Sequence, residues 1–232
     1  MKKVISIIFC IMLATCLLAG CGSEAKKAMD TAVTSANELL ENGGKPFDPQ
    51  TKKDLEKAVA ESENAEDDAA YEEVTKNIET ASAEYEKSVK QLKQVTNPKE
   101  SFLIERAKEV DTITKVEAAT EDTDSNKLMN KPGGYTSYVA MQSSMVGDSY
   151  YQEMGPVEAG CDGGAVIEAF PTAKDAKARE EYLATFDGSG MLASGSHTVV
   201  GTLLIRTSNE LTATQQKELE ENIINALIEL DE

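Results

Sequence analysis

The chain has 232 residues, 41 acidic against 23 basic side chains, and a formal net charge of -18. A surface this acidic repels polyanions at long range, and no arginine-rich face interrupts it, which excludes nucleic acid as a partner. The length allows one or two domains, and with no tryptophan and few other aromatics the core has to be built from aliphatic residues and alanine.

The first element is an address. Lys2 and Lys3 precede an apolar stretch from Val4 to Leu18, and Ala19 and Gly20 stand directly before Cys21. That order is a signal peptide, and the apolar run is short of the roughly twenty residues a bilayer-spanning helix needs. Leu18-Ala19-Gly20-Cys21 resembles the lipobox of bacterial lipoproteins. The resemblance implies diacylglycerol on the Cys21 sulfur, cleavage before it, and a protein lipid-anchored to the outer face of the cytoplasmic membrane of a Gram-positive bacterium. Losing residues 1–20 moves the net charge from -18 to -20. Cys10 and Cys16 leave with the signal peptide and Cys21 is acylated, so Cys161 has no disulfide partner and burial alone must stabilise the fold.

From Ala25 to Gln94 the composition favours helix. One helix is expected from Ala25 to Glu41, with Met29, Ala32, Ala36 and Leu39 on one face and a stop at Asn42-Gly43-Gly44. A second begins at the N-cap pair Asp48-Pro49 and places Leu55, Ala58, Val59 and Ser62 together. The third carries Tyr71, Val74, Ile78, Ala81, Tyr85 and Leu92 at coiled-coil spacing. Short connections between them predict a three-helix bundle over residues 21–96. The stretch Thr51-Lys52-Lys53-Asp54-Leu55-Glu56-Lys57-Ala58, continued through Tyr71 to Leu92, resembles the FIVAR-type helical module of Gram-positive surface proteins. That resemblance implies a spacer, or a contact with saccharide or wall.

Gln94 to Thr96 reads as a short linker, and Asn97-Pro98-Lys99-Glu100 opens a second domain over 97–232. Its pattern predicts helix 98–110, strand 112–119, a loop to 134, strand 135–145, a glycine-rich passage, strand 164–170, helix 172–186, strand 198–207 and helix 212–230. The fold class is therefore α+β: a four-stranded, mainly antiparallel sheet with helices on one face. Asp124-Ser125-Asn126-Lys127-Leu128, Pro132-Gly133-Gly134-Tyr135-Thr136-Ser137, Gly163-Gly164 and Leu211-Thr212 together resemble a group of uncharacterised lipoproteins of Gram-positive bacteria, which brings no activity with it.

Three groups of residues are candidates for chemistry. The acidic loop 121–126 offers Asp122, Asp124 and Asn126 at alternate positions, as a calcium loop does. It departs from the EF-hand at Lys127, where glycine is expected, and at Gly133, where a bidentate glutamate closes the site. The incomplete set favours an Asx turn that satisfies its own backbone. Cys161 and His197 make up a nucleophile and base on paper, yet no hydrolase signature surrounds them. Tyr135 and Tyr138, with Tyr150 and Tyr151 further on, are candidates to stack on a sugar ring, against partial burial as packing residues. The glycine-serine run 188–195 lacks the lysine and following helix of a P-loop and reads as a helix-to-strand connection.

The expected function is a non-enzymatic surface lipoprotein. Its diacylglycerol on Cys21 holds the membrane, and its α+β domain meets a cell-wall polymer or a surface protein. The alternatives are a solute- or calcium-binding lipoprotein using loop 121–126, and a hydrolase using Cys161 and His197. Apart from calcium, no cofactor is expected.

Overall fold

The computed structural model describes residues 23–188 and 195–231. The signal peptide, Cys21, Ser189 and Ser194 lie outside them. The chain is α+β: helices occupy its N-terminal part, and a five-stranded antiparallel sheet with further helices follows.

Each N-terminal helix starts where a short polar side chain takes up a free backbone donor. Ser23 accepts from the Lys26 N–H at the start of α1 (Glu24–Asn42), Asp48 from Gln50 at α2 (Pro49–Glu61), and Asp67 from Ala70 at α3 (Asp68–Gln94). The three share one apolar cluster built on Met29, Ala36, Leu55, Ala58, Val74, Ile78 and Tyr85. Their directions follow from side-chain contacts. The Lys26 ammonium sits over the Tyr71 ring, pairing the starts of α1 and α3. Near the other end the Tyr85 hydroxyl donates to the Gly44 carbonyl at 2.5 Å, and Phe47 N–H to the Ser88 carbonyl at 2.9 Å. So α1 and α3 run parallel and in direct contact, and α2 returns antiparallel beside them.

The sheet has the order β1-β2-β3-β5-β4. Its strands are β1 (Ile113–Ala118), β2 (Ser137–Ser143), β3 (Gly164–Ala169), β4 (His197–Val200) and β5 (Leu203–Thr207). Five strands replace the expected four because the run 198–207 is a hairpin. Gly201 adopts φ +61°, which turns the chain at Gly201-Thr202 and sends β4 to the edge beside β5.

Helices also cover both faces, not one. Val139, Met141, Ala165, Ile167, Leu203 and Ile205 face α4 (Glu100–Lys108) and α8 (Ala213–Ile228), which contribute Leu103, Leu219, Ile223 and Leu227. Tyr138, Ala140, Val166 and Leu204 point the other way. They meet Ala176 and Leu183 of α7 (Ala173–Ala184), together with Ala119, Met129 and Tyr135 of the long loop. We call these the α8 face and the α7 face. The glycine-rich passage forms two short helices, α5 (Ser149–Glu153) and α6 (Pro156–Ala159), and a 3₁₀ turn. The buried Gln142 amide pins this passage by donating to the Tyr151 and Met154 carbonyls at 2.6 and 2.8 Å.

The stretch 94–96, read from sequence as a linker, is a joint anchored by one buried residue. Val95 is fully buried in the α8-face core, and its carbonyl accepts from Thr202 N–H at 3.1 Å. Asn97 N–H donates to the Thr202 hydroxyl at 2.7 Å, and the Gln94 amide reaches the Leu227 and Glu229 carbonyls of the C-terminal helix. A Cβ at Gly201 would lie 2.3 Å from the Val95 carbonyl oxygen, so this approach requires glycine.

Candidate functional site

The α7 face buries charge. Glu168 stands in β3 among apolar neighbours and has no exposed surface. Its carboxylate accepts from the Arg206 guanidinium at 3.1 Å and from Arg179 Nε at 3.0 Å. Two-residue alternation puts Glu168 and Arg206 on the same face of adjacent strands, in diagonal positions, and α7 supplies Arg179 from above. A buried carboxylate needs such partners, because desolvating an unpaired one costs several kcal/mol.

Cys161 and Tyr138 border this cluster. Desolvation pushes the Cys161 thiol up to about 11, in spite of the Arg206 charge beside it. A thiol held there is protonated at neutral pH and is a poor nucleophile. Burial likewise raises the Tyr138 phenol. His197 is not engaged with Cys161: its Nε2 lies 3.3 Å from the Asp187 carboxylate oxygens, and its Nδ1 has no hydrogen-bond partner among the described residues.

The acidic loop closes on itself. Asp124 is 2 % exposed, and both its carboxylate oxygens are in use. One accepts from Asn126 N–H at 3.0 Å and the Tyr135 hydroxyl at 2.5 Å, the other from Leu128 and Met129 N–H at 2.8 and 2.9 Å. Burial alone would raise this carboxyl, but the bonds from Tyr135 and three backbone donors outweigh it and hold Asp124 below its ordinary range. Asn126 donates its side-chain amide to the Tyr135 hydroxyl, Asp122 stays exposed, and the Lys127 ammonium bonds to the Asp122 carbonyl. The Asx-turn reading describes this loop. Asp122, Asp124 and Asn126 do not present three free oxygens to one point, because Asp124 has already filled its acceptor directions with protein donors. Among the described residues no group of three or more His, Cys, Asp or Glu side chains is placed to hold a metal ion.

The tyrosine candidates are corrected in the same way. Tyr135 and Tyr138 pack against each other with ring centroids 5.6 Å apart, and Tyr135 meets Phe170 edge-on. Both are buried and offer no face to a sugar. Among the described residues the exposed large aromatics are Tyr150 and Tyr182. Tyr182 lies on α7 beneath the Arg179 guanidinium, at 5.5 Å, beside an open depression of about 420 Å³ that Asn126, Leu128, Gly133 and Ala178 complete. Arg179 therefore has two roles: it pairs with buried Glu168 on one side and lines a surface site on the other.

Sequence reasoning missed this arrangement. Its signal was an acid inside Ala165-Val166-Ile167-Glu168-Ala169 and a base inside Leu203-Leu204-Ile205-Arg206, single charges interrupting otherwise apolar strands. Comparison with known proteins finds no family model, no curated protein and no solved structure that matches this chain.

Proposed function

We propose that this is a non-enzymatic lipoprotein of the Gram-positive cell surface, in which a lipid on Cys21 holds the membrane and a three-helix bundle carries the α+β domain outward to a wall polymer or surface protein. The observation that carries this reading is the direction of the helices. The lipobox ends two residues before the Ser23 N-cap of α1, and the start of α1 lies beside Tyr71, near the start of α3. The sheet is joined to the opposite end of α3, at Val95. At about 1.5 Å per helical residue, the distance from Tyr71 to Gln94 is about 35 Å. This geometry supports a spacer role, with a lipid on Cys21 entering at one end and the sheet leaving at the other. A protonated Cys161 without an imidazole partner supports a binding role over a hydrolytic one.

The surface we assign to the ligand is the depression at Arg179 and Tyr182, where a guanidinium and an exposed ring offer hydrogen bonds and a stacking face together. The test is co-sedimentation of the full-length protein with isolated cell-wall sacculi across a salt series. Salt-resistant pelleting that falls in Tyr182→Ala is the expected result. Wild-type protein remaining in the supernatant at every salt concentration would remove the wall polymer as ligand. The anchor is tested separately: Cys21→Ala should leave the membrane fraction, and its retention there would refute the lipobox reading.

A further inference from the structure

We propose that the outer edge of β1 pairs antiparallel with β1 of a second copy of this chain, in the one register that sets Lys115 opposite Glu117. This interaction surface is separate from the ligand depression and does not depend on it.

β1 is one of the two edge strands of the sheet and pairs only with β2. Ala119 N–H donates to the Tyr138 carbonyl at 2.9 Å, which fixes the phase of the ladder: residues 115, 117 and 119 direct their backbone groups toward β2. Val116 and Ala118 then direct theirs outward. These outward groups have no hydrogen-bond partner among the described residues. The edge is open to solvent along a groove of about 730 Å³, lined by Ile113 through Glu117 with Lys108, Gly155 and Pro156 at its sides. An uncovered edge is a template for another strand, but Lys115 and the bulge between Ile113 and Lys115 bar most strands and leave one of matched charge.

Charge selects the occupant and the register. Lys115 and Glu117 are exposed and share a sheet face, and they are the only charged side chains in β1. Side-chain alternation allows a two-fold antiparallel pairing only about a residue position, so that like faces meet like. Centred on Lys115 or on Glu117, the pairing puts identical charges against each other. Centred on Val116, it puts each Lys115 opposite the other copy's Glu117, twice. It also brings the two outward-facing Val116 residues together, where each backbone donates to and accepts from the other. Lys115 bonds the Gln152 carbonyl and Glu117 accepts from Val157 N–H through one oxygen. The ammonium therefore keeps two protons and the carboxylate a second oxygen for the partner.

A zero-length carbodiimide, which joins a lysine amine to a carboxylate, tests the pairing on full-length protein in its native membrane. The expected result is a band of twice the monomer mass whose digest contains a Lys115–Glu117 linked peptide. Lys115→Glu removes both the reacting amine and the attraction, so the linked peptide should disappear. Lys115→Arg, which keeps the charge but offers no amine, should likewise lose the link yet keep the doubled mass of the uncrosslinked protein by light scattering, whereas Lys115→Glu should reduce that dimer about tenfold. The double variant Lys115→Glu/Glu117→Lys should restore it, with the same residues exchanged. Because both side chains are exposed, unchanged melting temperatures show that the variants fold. Absence of the doubled band in the wild type, its persistence in Lys115→Glu, failure of the double variant to restore it, or linkage of Lys115 to a protein of different mass would each overturn the proposal.

Discussion

The two faces of the sheet are buried to the same depth by different means. On the α8 face, Val139, Met141, Ala165, Ile167, Leu203 and Ile205 meet leucines and isoleucines in an apolar cluster, with polar contacts at its margins: Ser196 with Thr207 and Glu220, and Arg106 with Glu109 and Asp231. On the α7 face the same strands bury Glu168 with Arg206 and Arg179, beside Tyr138 and a loop organised by ionised Asp124. α7 itself buries only Ala176 and Leu183. Dispersion and hydrophobic burial are spread over many small contacts and tolerate a change of apolar partner, whereas a buried ion cluster is conditional, because each member is stable only while the others are present. The α8 face therefore supplies stability and the α7 face supplies specificity of arrangement, fixing Arg179 at the rim of the depression.

Removing the centre of the ion cluster is the strongest way to break this contrast. Glu168→Ala leaves two guanidiniums without their carboxylate and should cost about 3–5 kcal/mol in urea unfolding. The triple variant Glu168→Leu/Arg179→Leu/Arg206→Leu should lose far less than that single change, which is the mark of mutual dependence. On the apolar face, Leu203→Ala should cost about 3 kcal/mol through lost transfer energy and a cavity, and no second substitution at an ionic residue should recover it.

A smaller effect sharpens the comparison through pH. Asp124→Asn should cost about 1–2 kcal/mol at neutral pH, since it removes acceptors from a buried network. The folded carboxyl lies below its ordinary 3.8, so the unfolded chain takes up the proton first. Its contribution is complete above that value and is lost as pH falls through the folded pKa. The gap between wild type and Asp124→Asn in urea unfolding should therefore close in that acid window, while the gap for Leu203→Ala stays open. The smallest expected effect is none: millimolar calcium should leave the melting temperature unchanged, because a ligand of the folded state alone must raise it and Asp124 has no free acceptor to offer.

What could be read from sequence was what is local. The cap at Asp48 was visible, as were the seams of α1 and α3, because each depends on residues a few positions apart. The seam of α3 carried a hidden complication: Tyr85 packs in the helical cluster, while Leu92, seven residues on, packs in the sheet core. The hairpin at Gly201-Thr202 was concealed because its flanks are apolar on both sides and its turn lacks an Asn-Gly or Asp-Gly pair. The second covered face was invisible because α7 is mostly charged and contributes only two buried side chains. The partners of Glu168 lie 11 and 38 residues away, separations over which no periodicity operates. Tyr135 and Tyr138, beside a glycine turn, could be read from sequence either as sugar-stacking or as packing residues, and distant partners decide it: one is drawn inward by Asp124 and the other faces the core from an interior strand.

The joint at Val95 has a mechanical consequence. A pull applied at the start of α1 and resisted at the sheet cannot be absorbed by slack chain, because the connection is packed and its closest approach admits only glycine. The load enters one helix at its beginning and leaves a parallel helix at its end, so the α1–α3 interface carries it in shear. The bonds from Tyr85 to Gly44 and from Phe47 to Ser88 lie across that shear plane.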